Sequence, residues 1–193
     1  MTVSVAATAS TGAATLDDEQ QGRRRLRQLV RPRRFRWWHA ALFGGLVSAL
    51  AIVPVRETRI YSELKQAPFA PPRWLFGPAW TVNTIASLWG DLHLVNERQT
   101  PNRAALLKLE ALSWLTYATF GWVYFVLKSP VLAFVWTAGM YLITIVQVAL
   151  AARDRRVLLS RLPVLAWLTL ATPVAWYQLT HNRDPLLGGG RRR

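Results

Sequence analysis

Five long apolar stretches alternate with short polar or charged ones along this chain. They run from about Trp37 to Val55, Trp74 to Val95, Ala104 to Leu127, Val131 to Ala151 and Leu158 to Thr180. Each is close to the roughly 20 residues that an α-helix needs to cross the core of a bilayer. A loop (Arg56 to Arg73), a polar connector (Asn96 to Arg103), a tight turn (Lys128-Ser129-Pro130) and a charged connector (Arg153 to Arg156) separate them. The pattern predicts an all-α fold, a polytopic membrane protein with a bundle of five transmembrane helices over residues 37–182. Residues 1–36 read as a disordered tail with an arginine-rich juxtamembrane segment. Its first 22 residues are small and polar, without the apolar core of a cleavable signal peptide. Residues 183–193 read as a basic C-terminal tail.

Composition sharpens this picture. The 193 residues are 52% apolar and carry a net charge of +14. One globular domain accommodates both only if they are segregated, and here they are, with arginines gathered between apolar runs. A nucleic-acid binder would instead show a basic stripe with interleaved aromatics, so no nucleic-acid partner is expected. The chain has no cysteine, which excludes disulfides, thiolate metal sites and cysteine nucleophiles.

Charge also predicts orientation. Eight arginines lie between Arg23 and Arg36, either as a topology signal or as a patch attracted to anionic lipid headgroups. With the N-terminus inside, the inner segments hold fourteen basic residues, counting Arg153, Arg155, Arg156 and Arg161, against nine outside. The positive-inside rule then places the N-terminus in the cytoplasm and the C-terminus outside.

Polar residues inside apolar runs are candidates for function. Three charges stand out: Asp91, near the end of the second run, and Lys108 and Glu110, near the start of the third; Asp91 and Lys108 can pair at similar depth, either as an interfacial ion pair that locks the hairpin or as part of a proton or ligand site. Asn83, Gln147 and Gln178 are expected to make interhelical hydrogen bonds. Trp37, Trp38, Trp74 and Trp176 suit membrane interfaces. Trp80, Trp89, Trp114, Trp122, Trp136 and Trp167 fall deeper, where they either pack the bundle or line a cavity. No nucleophile–base arrangement, metal-ligand spacing or phosphate-cradling glycine loop is visible, so neither an enzyme nor a metal site is expected.

The stretch Pro68 to Thr81, Pro-Phe-Ala-Pro-Pro-Arg-Trp-Leu-Phe-Gly-Pro-Ala-Trp-Thr, stands apart. Ala70-Pro71-Pro72 cannot be helix interior, so Pro72 marks a helix start. Trp74 and Trp80 are six residues apart, about 120° around a helix, and point to different surroundings.

This block resembles the signature of the TspO/MBR family, the tryptophan-rich sensory proteins, roughly Trp-x-Pro-Pro-x-Trp-x-Phe-x-x-x-Trp-Thr. Phe69 stands for the first Trp; Pro71, Pro72, Trp74, Phe76, Trp80 and Thr81 fit. Pro163, Trp167, Ala171 and Thr172 match a second pattern, Pro-x-x-x-Trp-x-x-x-Ala-Thr. The resemblance implies a five-helix bundle, often a homodimer, in a bacterial plasma membrane. It implies a pocket under the first loop for a porphyrin, haem or a sterol-like molecule, lined by Phe69, Trp74, Phe76, Trp80, Tyr117, Phe120 and Trp167 and shaped by Pro71 and Pro72. Three positions depart: Thr84 replaces a tyrosine, Tyr117 and Phe120 replace the Asn and Trp of the third helix, and Ala175 replaces an Asn of the fifth. Pro173 is expected to bend that helix. Val174, Tyr177 and Arg183 fit a short pattern proposed for cholesterol contact. Two functions follow: a sensor or carrier of a flat apolar ligand, or a non-catalytic accessory subunit of a larger membrane complex. Membrane lipid is a partner in both.

Overall fold

The computed structural model describes residues 34–53 and 59–188. The expected tail over residues 1–33, the predicted end of the first run at Val55 and the basic residues 191–193 lie outside the described residues.

Helix α1 spans Trp37–Ile52. His39 Nδ1 accepts the Arg36 backbone N–H at its start, 3.0 Å away. A short helix, α2 (Arg59–Glu63), occupies part of the loop expected to be irregular. Pro72 then sits in an extended conformation before a single 3₁₀ turn, Arg73–Leu75. Helix α3 follows over Phe76–Asn96, with Pro78 in its first turn, where a missing N–H costs nothing. Helix α4 spans Arg103–Gly121 and widens into a π turn over Trp122–Val126. Lys128, in the left-handed region at φ 53°, ends that run.

Ser129 caps α5 (Pro130–Leu150) through the Leu132 N–H, with Pro130 in the favoured first position. Asp154 caps α6 (Arg155–His181) by accepting from the N–H groups of Arg156 and Val157. Two expectations change here. Arg155 and Arg156 form the first turn of α6 rather than a connector, and Arg161, inside the fifth run but counted with the inner basic residues, is buried in the bundle. The helix also runs unbroken through Pro163 and Pro173.

Helix α6 is the central element and packs most extensively on α5 and α3; α1 packs on α4 and α3. Reciprocal hydrogen bonds between Phe35 and Asn96, each 2.9 Å, fix the start of α1 to the end of α3. The distribution of side chains is inverted relative to a water-soluble bundle. Asn83, Ser87, Glu110, Thr144, Gln147 and Arg161 are buried, while Leu46, Val82, Ile85, Leu115, Leu142 and Leu162 are exposed. Buried polar groups beside exposed large apolar ones are the informative deviations from ordinary packing.

By length and composition, α5 and α6 can cross a membrane, and α1 is a shorter apolar helix of 16 residues. Helix α3 includes Asp91 and His93, and α4 includes Arg103, Lys108 and Glu110.

Candidate functional site

Below the loop that precedes α3, aromatic rings from three helices meet. Phe76 lies edge-on to Trp167 with centroids 5.3 Å apart, and Trp167 is 6.5 Å from Trp80. Trp80 in turn lies 5.0 Å from Tyr117. Helical spacing explains the gathering: Phe76 and Trp80 are one turn apart on α3, and Trp167 follows Val164 on the inward face of α6. Val164, Leu168 and Met140 complete the cluster.

The loop closes over this group through polar contacts. Tyr61 stands edge-on to Phe76, and its hydroxyl donates to the Pro71 carbonyl over 2.8 Å. Burial pushes the Tyr61 phenol above its ordinary pKa, so it stays a donor. Lys65 and Asn182 exchange two hydrogen bonds, of 2.7 and 3.1 Å. Gln178 donates to Gln66 over 2.8 Å, linking the loop to α6.

The residues singled out in the sequence divide into three groups. Phe76, Trp80, Tyr117 and Trp167 come together. Phe69, Pro72 and Trp74 lie exposed at the rim, Trp74 at 72%, while Pro71 is buried under the loop. Phe120 stacks on Tyr124 in a separate cluster under α2, so it does not share the space of the first group. Val174 is buried in the bundle, so it shares no outer face with Arg183, which is exposed.

On the far side of Trp80, away from the loop, lies a cavity of about 20 Å³ with a largely apolar lining and several polar groups, the room of about one water molecule. Asn83, Ser87, Glu110, Ser113, Gln147 and Arg161 are among its lining residues. Arg161, 2% exposed, binds Asp91 Oδ1 through Nη2 at 2.8 Å and Glu110 Oε1 through Nη1 at 2.7 Å. The Trp114 indole donates to Asp91 Oδ2 over 2.7 Å, and Gln147 donates to Glu110 Oε1 over 2.5 Å. The expected Asp91–Lys108 pair is therefore replaced: Lys108 is exposed, and Arg161 supplies the cation. A charge in apolar surroundings must be matched internally, and an outward-pointing lysine cannot do that. Gln147 and Gln178 make the expected interhelical bonds, but the Asn83 amide nitrogen is buried without a partner.

Comparison with known proteins adds the deciding observation. The TspO/MBR family model matches residues 38–180, most of the chain. The chain belongs to the TspO/MBR family. No curated protein matches it. The match covers every helix that builds the aromatic cluster and the cavity, and with the inverted side-chain distribution it makes this TspO/MBR chain an integral membrane protein. Sequence reasoning missed Arg161. The signal was present: Asp154 followed by two arginines and Val157 is a helix start, and it places Arg161 on the same face as Val157, Val164 and Leu168.

Proposed function

We propose that this TspO/MBR protein is a five-span membrane protein that binds a flat apolar ligand, a porphyrin, haem or sterol-like molecule, as a sensor or carrier, without catalysis. The observation that carries this reading is the convergence of Phe76, Trp80, Tyr117 and Trp167 beneath a loop held by hydrogen bonds. Aromatic walls supply affinity by apolar burial, and a few polar groups orient the ligand. The rings pack on one another, so a tetrapyrrole takes its place by parting the loop from α6 and moving Trp80 and Phe76. The exposed Trp74 and Phe69 form the rim it passes. Outward apolar residues on α3 and α4, such as Val82, Ile85 and Leu115, support all five long helices as spans.

The water-sized cavity favours a second reading, a non-catalytic accessory subunit whose aromatic cluster is purely structural. Titration of protoporphyrin IX with the purified protein in lipid nanodiscs, followed by the porphyrin's absorption band, separates the two. The ligand reading expects a saturable spectral change; a change that scales linearly with lipid, and is the same in empty nanodiscs, rejects it in favour of the accessory subunit.

A further inference from the structure

An ionisable cluster lies behind Trp80, in a cavity that Trp80 and Tyr117 also line. It gathers Asp91 of α3, Glu110 of α4 and Arg161 of α6, with Gln147 of α5 beside them. Two carboxylates share the terminal nitrogens of one guanidinium. With both ionised, the cluster holds a net negative charge in a setting 4% exposed at Glu110 and 2% exposed at Arg161. Uncompensated charge in such surroundings is costly, and a bound proton removes it.

Hydrogen bonding decides which carboxylate takes the proton. Asp91 accepts on both oxygens, from Arg161 and from the Trp114 indole. A proton there would forfeit one of those bonds. Glu110 accepts both of its donors, Arg161 and Gln147, on Oε1, which leaves Oε2 for a proton. The Asp91 carboxylate lies within hydrogen-bonding reach of Glu110, and the other groups facing Glu110 are few. Helix α5 contributes Gln147 and Thr144 and contains no charged residue; Tyr117 lines the same cavity; Lys108, on the same helix, is exposed; and α1 carries only His39, engaged with the Arg36 backbone at the helix start.

A second, independent feature points the same way. Asn83 Nδ2, Ser113 Oγ and Arg161 Nε are buried without partners, and all three residues line the cavity. The cavity has room for about one water, which needs two to four polar partners. Such a water accepts from Asn83 and Arg161 and lies on the route of a proton to or from Glu110.

We propose that this cluster is a proton-binding site: Asp91 anchors Arg161, and Glu110 exchanges one proton with a water held by Asn83, Ser113 and Arg161. The step is Glu110 carboxylate plus hydronium giving the carboxylic acid plus water, with no other bond changed. It stands whether or not a tetrapyrrole binds on the other side of Trp80.

Infrared difference spectroscopy of the protein in nanodiscs tests this. At neutral pH, well above the ordinary glutamate range of about 4.3, the wild type should show the carbonyl stretch of a buried carboxylic acid that shifts in D₂O. Glu110→Gln should abolish it while keeping the Arg161 and Gln147 contacts. Asp91→Asn should abolish it too, because one carboxylate opposite one guanidinium is already neutral. A wild-type spectrum with no Glu110-dependent band overturns the proposal, as does a band that survives Asp91→Asn unchanged. Thermal melts of both variants establish that each is folded.

Discussion

Gly90 is a residue whose size is set by its neighbours. A Cβ there would overlap the Ser160 side chain and crowd Arg161, because α3 and α6 are in close contact at this point. Gly90→Ala should therefore destabilise the protein by about 1–3 kcal/mol, the usual penalty for overpacking. Gly45, with open space around its would-be Cβ, should accept alanine with a change of roughly 0.5 kcal/mol or less. Thermal denaturation in detergent compares them; equal effects would mean that α3 and α6 are not in such contact.

Asp154 is a second informative residue. Burial alone would raise its pKa, but the hydrogen bond with His93 and the Val157 and Arg156 N–H groups hold it below the ordinary value. A depressed folded pKa stabilises the protein above the unfolded value of about 3.9, and that contribution is lost as pH falls through the folded value. Asp154→Ala should cost about 1 kcal/mol at neutral pH as a lost helix cap. The gap from wild type should close below about pH 4. A gap that is constant down to pH 3 would contradict this.

At the scale of elements, the loop between α1 and α3 depends on a few polar ties. Two of its hydrogen bonds reach Asn182 at the end of α6, and each contributes about 1 kcal/mol. Asn182→Ala should raise amide exchange over residues 64–72 with little change in the melting temperature of the bundle. Unchanged exchange would show that the loop is held by Tyr61 and Gln66 alone. The loop was only half legible in the sequence. Pro71 and Pro72 announced the start of α3, but α2 is five residues long, too short for periodicity to mark it. It is fixed by Ile60 packing against Tyr124 and Ala133, contacts distant in sequence. The π turn at Trp122–Val126 is equally silent, since an i to i+5 bond such as Leu127 N–H to the Trp122 carbonyl leaves the apolar pattern unbroken.

At the scale of the molecule, the alternation of apolar and polar stretches was enough to place the five long helices among the described residues, because their length and hydropathy are local properties. What sequence could not supply was azimuth. Tyr117 and Phe120 are three residues apart, yet Tyr117 faces Trp80 while Phe120 faces Tyr124. Arg161 lies within the fifth run and counts among the inner basic residues, but nothing local shows that it turns inward to Asp91 and Glu110. Removing it from the inner count leaves the remaining arginines still favouring a cytoplasmic N-terminus. The cysteine-free chain allows a direct topology test with single cysteines at exposed positions. Gln99→Cys and Arg153→Cys should label from the cytoplasmic side, and Glu63→Cys from the other. Labelling of Glu63→Cys and Gln99→Cys from the same side would contradict five spans.

The central claim is that a ligand displaces the aromatic cluster at Trp80. Quenching of tryptophan fluorescence by added protoporphyrin IX, compared among wild type, Trp80→Ala and Trp74→Ala, tests it most directly. Trp80 packs between Trp167 and Tyr117, whereas Trp74 is exposed at the rim. Removing a large aromatic from packed surroundings costs about 3–5 kcal/mol, so Trp80→Phe serves as the better-packed control. Saturable quenching in the wild type, weakened in Trp74→Ala, retained in Trp80→Phe and lost in Trp80→Ala, is the predicted result; saturable quenching of undiminished affinity in Trp80→Ala would contradict the account.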